Sequence, residues 1–168
     1  MHSIISTHNN KIINISKPNI AEPKCNCRSE CMLPGQCRKS SIIYKATTTH
    51  NNSNIEYIGN TSCEFKVRYR NHKCSFLNEN KRNETALSQF IWSRELNLDD
   101  NKELINPNIK WEILEESKTY RGAENFCQLC NTEKFYIIMN YCNPGNINHR
   151  SDLGNRCVHR KAHMLSKC

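Results

Sequence analysis

Arg68 and His72 are a pair whose residue types and spacing could do chemistry. They lie four residues apart in the segment 64–77, where aromatic residues recur at helical spacing. On a helix, residues four apart face the same way. A guanidinium offers paired donors to a phosphate, and an imidazole can hold or move a proton near neutral pH. The pair favours a phosphate-handling site, and a solvated basic face is the alternative because other basic residues are close by.

Tyr44 and Tyr57 fall on two predicted strands. Residues 40–49 are rich in β-branched types, residues 50–54 read as a polar turn, and residues 55–59 form a second strand of the same hairpin. Because side chains alternate along a strand, each tyrosine shares a face with its neighbours two positions away. The two hydroxyls could therefore lie side by side on one sheet surface. Packing of two ordinary core aromatic residues is the alternative.

Glu133 interrupts the apolar stripe of a helix predicted over residues 125–139. An unpaired buried carboxylate is costly, so this side chain requires a cation, either an arginine or a metal. Oxygen ligands of this kind suit Mg²⁺. A glutamate at the edge of the stripe that reaches solvent is the alternative. Asn148 follows a Pro-Gly turn fifteen residues later and carries little information alone.

Cysteine is unusually frequent, with 11 residues in the chain. One group could supply four thiolates to tetrahedral Zn²⁺, with free thiols as the alternative; its members are Cys25, Cys27, Cys31 and Cys37. A second group could tie the third helix to the basic tail; its members are Cys127, Cys130 and Cys157 with either His159 or His163. Three others are expected to pack as small hydrophobic residues, namely Cys63, Cys74 and Cys142.

These residues are positioned by a predicted order β-β-α-α-β-α, with further elements over residues 85–97 (helix) and 109–114 (strand). The order predicts a small α+β domain with a three-stranded sheet flanked by helices. Four segments follow: an extended connector (1–22), a cysteine-rich zinc-binding segment (23–39), the main domain (40–155) and a basic Cys/His tail (156–168).

The 168 residues carry 24 Lys and Arg against 16 Asp and Glu, a formal net charge of +8. This balance favours a polyanionic partner, most often nucleic acid, over an uninvolved basic surface. No apolar run approaches the roughly 20 residues of a membrane span, and no secretory signal is present. We therefore expect a protein that is neither secreted nor bound to a membrane, in a reducing compartment where metal binding outranks disulfides.

The candidate residues occur in a recognisable order: Ile42-Ile43-Tyr44, Tyr57-Ile58-Gly59, Arg68-x-x-x-His72, Glu133 and Asn148. This set resembles the motifs of GIY-YIG endonucleases. Further segments are similar to the endonuclease domain at the C-terminus of Penelope-like retroelement proteins, namely residues 41–46, 71–76, 110–113, 127–133 and 148–153, with 3–11 and 25–27 like that family's connector. The likeness spans roughly residues 3–160. One departure is Ile42, where the family has glycine, and it calls the local strand geometry into question.

The resemblance implies a GIY-YIG nuclease-like fold and a metal-dependent DNA endonuclease that nicks target DNA for retroelement integration by target-primed reverse transcription. It implies Tyr44 as general base, assisted by Tyr57 and His72, and Arg68 as the phosphate ligand. Glu133 would hold catalytic Mg²⁺ or Mn²⁺, while Asn148 would position the site or the phosphate.

Other expectations concern partners. They are DNA and the upstream reverse transcriptase domain of a longer element protein. The expected location of the protein is the nucleus, or the cytoplasm before import. The alternative is a catalytically inactive, zinc-stabilised nucleic-acid-binding module derived from such an element.

Overall fold

The computed structural model describes residues 31–95, 108–118 and 126–154, together with Cys25, Cys27, Tyr120, Arg156, Cys157 and His159. The elements are β1 (Ile42–His50), β2 (Ser53–Thr61), α1 (Phe65–Leu77), a short 3₁₀ helix (Glu79–Lys81), α2 (Ala86–Glu95), β3 (Lys110–Glu116), α3 (Gln128–Met139) and α4 (Arg150–Gly154). The predicted α+β class and the order of the first six strands and helices are confirmed. The predicted connector over residues 1–22 lies outside the described residues.

The sheet has three antiparallel strands in the order β2-β1-β3. The central strand is β1, whose consecutive residues Ile42, Ile43 and Tyr44 are all fully buried. Since neighbouring side chains of a strand point to opposite faces, this run requires that both faces of β1 be covered.

The hairpin turn between β1 and β2 is tighter than the sequence prediction of residues 50–54. It consists of Asn51 and Asn52, with φ angles of 48° and 59°. Two positive φ angles are what a type I′ hairpin turn requires, and asparagine tolerates them better than most residues. The strands therefore continue to His50 and resume at Ser53.

A β-bulge lies beside the first candidate catalytic residue. Ile43 pairs with Glu115 of β3, whereas Tyr44 pairs with Ile113, so one residue of β3 is left over at this point. Bulges bend a strand locally and re-aim side chains. Ile42, which stands where the motif that the sequence resembles has glycine, is buried and paired on both sides, and its φ is not positive. The strand therefore accommodates isoleucine here without left-handed backbone.

Two hydrophobic clusters lie on opposite faces of the sheet. The first joins one face of β1 and β2 to α1, α2, β3 and the cysteine-rich segment; its buried members include Tyr44, Tyr57, Phe65, Phe76, Leu87, Ile91, Trp111, Leu33 and Cys37. The second joins the other face to α3; its buried members are Ile43, Ile58, Cys127, Leu129 and Ile137. The cysteine-rich segment thus shares a core with the main domain. No helix among the described residues is long and apolar enough to cross a membrane.

Candidate active site

The hydroxyl of Tyr44 lies between two side chains of α1. Its oxygen is 2.8 Å from Nε2 of His72, and Nε of Arg68 donates a hydrogen bond to it at 2.9 Å. Tyr44 and His72 are 0% and 1% exposed, respectively. The four-residue spacing therefore does bring Arg68 and His72 to one point, and that point is the sheet surface. A wholly solvated basic face does not describe these two residues.

Burial and the neighbouring charge of Arg68 determine the protonation of Tyr44 and His72. Burial, with a smaller effect of the Arg68 charge, lowers the pKa of His72 to about 3, so its imidazole is neutral near pH 7. Burial also raises the pKa of Tyr44, although Arg68 acts in the opposite direction. With the proton of the neutral imidazole on Nδ1, Nε2 of His72 accepts a hydrogen bond from the phenol. The arrangement provides a short path for a proton between Tyr44 and His72, although burial makes this imidazole a weak proton acceptor.

Tyr57 and Gly59 complete this surface on β2. The ring centroids of Tyr44 and Tyr57 are 6.4 Å apart, which confirms the prediction that the two tyrosines lie side by side. Gly59 is paired with Tyr44 across the strands. A Cβ atom on Gly59 would lie 2.6 Å from the Tyr44 hydroxyl and 3.0 Å from the Tyr57 ring. Glycine therefore lets the phenol lie directly over the backbone of β2.

Trp111 of β3 holds the same group of rings in place. Its ring centroid lies 5.3 Å from that of His72 and 5.8 Å from that of Tyr44. The ring of Phe76 stacks on the imidazole of His72, with a centroid distance of 5.9 Å. Trp111 is not among the site residues predicted from the sequence, where it is a large aromatic residue on a predicted strand within the resembling segment 110–113.

Glu133 on α3 is half-buried, and its Oε2 accepts a hydrogen bond from Nδ2 of Asn60 at 2.6 Å. Burial raises the pKa of Glu133, and Asp152 adds to this effect, whereas Asn60 and Arg68 oppose it. Within the described ranges, no basic side chain forms an ion pair with Glu133, and its hydrogen-bond partners are the side chain and the backbone of Asn60. The Glu133 carboxylate supplies hard oxygen ligands in a partly desolvated position, which fits a divalent cation such as Mg²⁺.

Asn148 is hydrogen-bonded to the outer edge of β2. Its Oδ1 accepts from the backbone N–H of Ile58, and its Nδ2 donates to the Ile58 carbonyl, both at 2.8 Å. Nearby, the backbone of Glu56 bonds to Gly145 and Ile147. The segment thus pairs with β2 as a short strand would, and both ends of the Asn148 amide are used. This geometry favours the positioning role over direct contact with a phosphate.

The first cysteine group, Cys25, Cys27, Cys31 and Cys37, forms a compact cluster whose sulfur atoms all lie within 4.8 Å of one another. Sulfur–sulfur distances of 3.4–3.7 Å join Cys25 to Cys31 and Cys37, and Cys27 to Cys37. A tetrahedral zinc site with bonds of about 2.3 Å has sulfur atoms about 3.8 Å apart. Hydrogen bonds, the backbone N–H of Cys27 first, lower the pKa of Cys25 to about 7. The cluster could therefore hold a structural metal such as zinc.

The second group brings Cys127 and Cys130 together with Cys157 and His159, again with all ligand atoms within 4.8 Å. Nδ1 of His159 is 3.2 Å from the Cys130 sulfur and 3.6 Å from that of Cys127, while Cys130 and Cys157 are 3.6 Å apart. Burial lowers the pKa of His159, which keeps the imidazole neutral and able to bind a metal. His163 lies outside the described residues. This cluster too could hold a structural metal such as zinc.

The prediction for three cysteines outside the clusters is wrong. Cys63, Cys74 and Cys142 are exposed rather than packed as small hydrophobic residues. Helix α1 turns His72, Ser75 and Phe76 inward, which leaves Cys74 on its outer face. Cys142 lies in the turn that follows α3, and Cys63 lies in the link before α1.

Hydrogen bonds and ring contacts thus bring together four of the residues named from the sequence, Tyr44, Tyr57, Arg68 and His72. Glu133 and Asn148 are instead bonded to β2, at Asn60 and Ile58 respectively. Comparisons of the chain with protein-family models, with curated proteins and with solved structures found no match.

Proposed function

We propose that the chain is a metal-dependent DNA endonuclease of the GIY-YIG type that nicks one strand by phosphodiester hydrolysis. The observation that carries this proposal is the hydrogen-bonded group of Tyr44, Arg68 and His72 at the sheet surface. The ordered resemblance to endonucleases of Penelope-like retroelements supports it further. In such an element the 3′ end of DNA at the nick would prime reverse transcription.

Proton transfer is the first task of the site. Tyr44 would accept a proton from the attacking water and pass its own proton to Nε2 of His72. Because burial lowers the pKa of His72, this transfer requires a site that has opened to water. Tyr57 stays protonated, because burial raises its pKa well above the ordinary value, and it supports the Tyr44 ring. Since Tyr44 is fully buried, the neighbouring side chains must shift when DNA binds so that water reaches its oxygen.

Stabilisation of negative charge is the second task. The Nε–H of Arg68 bonds to Tyr44, and the guanidinium carries four further N–H donors in a planar fork that suits phosphate oxygens. The same positive charge stabilises Tyr44 as a phenolate. Arg68 would thus act on both the base and the scissile phosphate.

Glu133 would hold Mg²⁺ or Mn²⁺ through its carboxylate. The group would supply stabilisation of the charge that develops on the leaving 3′-oxygen. The two cysteine clusters would hold structural Zn²⁺ and take no part in the chemistry.

A second candidate function is a zinc-stabilised nucleic-acid-binding module without catalytic activity. One observation favours it: the Tyr44 oxygen has no exposure to solvent, whereas a general base must meet water. The net charge of +8 suits nucleic-acid binding in either case.

The test is a nicking assay on supercoiled plasmid with zinc-loaded protein. Mg²⁺ is withheld by omission rather than by chelation, because a chelator would also strip the cysteine clusters. We expect nicking only with Mg²⁺ or Mn²⁺, and its loss in Glu133→Gln, which keeps the shape but removes the charge. The control is Glu84→Gln, an exposed residue in the loop before α2. DNA binding without nicking in the wild type would select the binding module instead.

A further inference from the structure

Asn60 is a polar residue on the face of β2 that packs against α3. Side chains alternate along the strand, so Asn60 shares a face with Ile58, whereas Gly59 lies on the face of Tyr44. Ile58 belongs to the apolar cluster between the sheet and α3. The amide of Asn60 reaches across to α3 and donates to Oε2 of Glu133 at 2.6 Å.

This hydrogen bond is of the strong, charge-assisted kind, since its acceptor is a carboxylate. A glutamate side chain has three rotatable bonds, and a bond to one oxygen restricts all three. The second oxygen of Glu133 is then held in one direction. Because an amide is neutral, Asn60 restrains the carboxylate without cancelling the charge that a cation needs.

The contact between β2 and α3 does not depend on this polar pair. Ile43 and Ile58 of the sheet pack against Leu129 and Ile137 of α3, and all four are at most 2% exposed. Apolar burial of this extent is the main force that docks α3 on the sheet. The hydrogen bond of Asn60 is therefore not needed to hold α3 against the sheet.

We propose that Asn60 is a positioning residue that orients Glu133 for its divalent cation. Two consecutive residues of β2 then set the two halves of the site. Gly59 lets the Tyr44 phenol lie against one face of the strand, and Asn60 fixes the Glu133 carboxylate on the other. The inference rests on the proposed function, because it assumes that Glu133 binds the catalytic metal.

The experiment measures Mn²⁺ binding directly, by the electron paramagnetic resonance signal of free Mn²⁺, with zinc-loaded full-length protein. Loss of a residue that orients a metal ligand typically weakens metal binding by about 10–100-fold. We expect a loss of about 10-fold in Asn60→Ala and a smaller loss in Asn60→Gln, which keeps an amide. The matched control is Asn54→Ala, an exposed asparagine of the same strand, with wild-type binding.

A second readout is the nicking rate as a function of Mn²⁺ concentration. Asn60→Ala should need about 10-fold more Mn²⁺ for half-maximal rate and recover most of the rate at saturation. The urea midpoint should stay close to that of the wild type. Loss of the folded state in Asn60→Ala would assign Asn60 a structural role and overturn the inference.

Glu133→Gln separates this inference from the proposed function. If Glu133→Gln abolishes Mn²⁺ binding while Asn60→Ala binds like the wild type, the role of Asn60 is wrong and the metal site stands. If Glu133→Gln binds Mn²⁺ like the wild type, Glu133 is not the ligand, and the proposed function loses its metal site together with the inference.

Discussion

Replacement of Gly59 by alanine tests the packing of the candidate site. The added Cβ would lie 2.6 Å from the Tyr44 hydroxyl and 2.8 Å from the ring carbon that carries it. Ordinary van der Waals contact begins at 3.4 Å, so the two groups must separate by about 0.8 Å. The phenol is the end of a rigid ring that is fully buried, and it cannot swing away as a flexible side chain would.

Two destabilising contributions and one stabilising contribution determine the change in the free energy of unfolding. Overpacking of a dense core costs about 1–3 kcal/mol. Weakening the hydrogen bonds of Tyr44 to His72 and Arg68 costs about 1 kcal/mol more. Reduced entropy of the unfolded chain returns about 0.4–1 kcal/mol. We expect the free energy of unfolding of Gly59→Ala to fall by about 2 kcal/mol, and the nicking rate of the folded fraction to fall by about 100-fold, since misplacement of reacting groups by about 1 Å has effects of this size.

The assay is urea denaturation followed by circular dichroism, with nicking measured under conditions where the variant is folded. Gly154→Ala is the control, because Gly154 is a helical glycine of α4 with no atom within 4 Å of the added Cβ. Its stability should change by less than about 0.5 kcal/mol. Equal urea midpoints for the two variants would refute the close contact between Gly59 and Tyr44.

Two further predictions concern protonation and metal. His72 is protonated near pH 6.5 in the unfolded chain but only near pH 3 in the folded protein, so the free energy of unfolding should fall by about 1.5 kcal/mol between pH 6.5 and pH 5. Urea denaturation of His72→Gln at both pH values should lack this contribution. The same pH dependence in the wild type and the variant would contradict the burial of a neutral imidazole. Metal analysis should find about two zinc ions per chain. One should be lost in Cys37→Ser and one in Cys130→Ser, whereas the exposed control Cys74→Ser should lose none. A full zinc content in either cluster variant would show that its cluster does not bind zinc.

The sequence predicts the strands and helices well where the pattern is local. The β-branched run of β1 and the alternation in β2 are enough to place Tyr44 and Tyr57 on one face. The helical spacing of α1 is enough to point Arg68 and His72 the same way. These inferences depend only on the geometry of a single strand or helix.

Features that depend on contacts between distant segments were not predictable in this way. The bond between Asn60 and Glu133 joins residues 73 positions apart. The contact of Trp111 with His72 depends on β3 pairing with β1 rather than with β2. The predicted hairpin turn is longer than the observed one, because a pair of asparagines is equally typical of a longer polar loop. Cys74 is exposed because the opposite side of α1 packs against the sheet. Residue type alone does not determine which side of the helix is buried.

The two cysteine clusters have a common relation to the candidate site. The backbone of the first cluster accepts hydrogen bonds from the start of α1, with Lys66 N–H bonded to the Cys37 carbonyl at 2.7 Å and Phe65 N–H to the Lys39 carbonyl at 2.9 Å. These bonds satisfy N–H groups that a helix start leaves without a partner within the helix.

The second cluster includes Cys127, which begins α3, and Cys130 in its first turn. Each cluster therefore lies at the N-terminal end of one helix, and those helices carry Arg68 and His72 in one case and Glu133 in the other. Apolar packing docks both helices on the sheet, and metal bound at the clusters would add a constraint at the helix N-termini. Zinc loss should thus impair catalysis through misplaced helices, although neither cluster contacts the reacting atoms in the proposed mechanism.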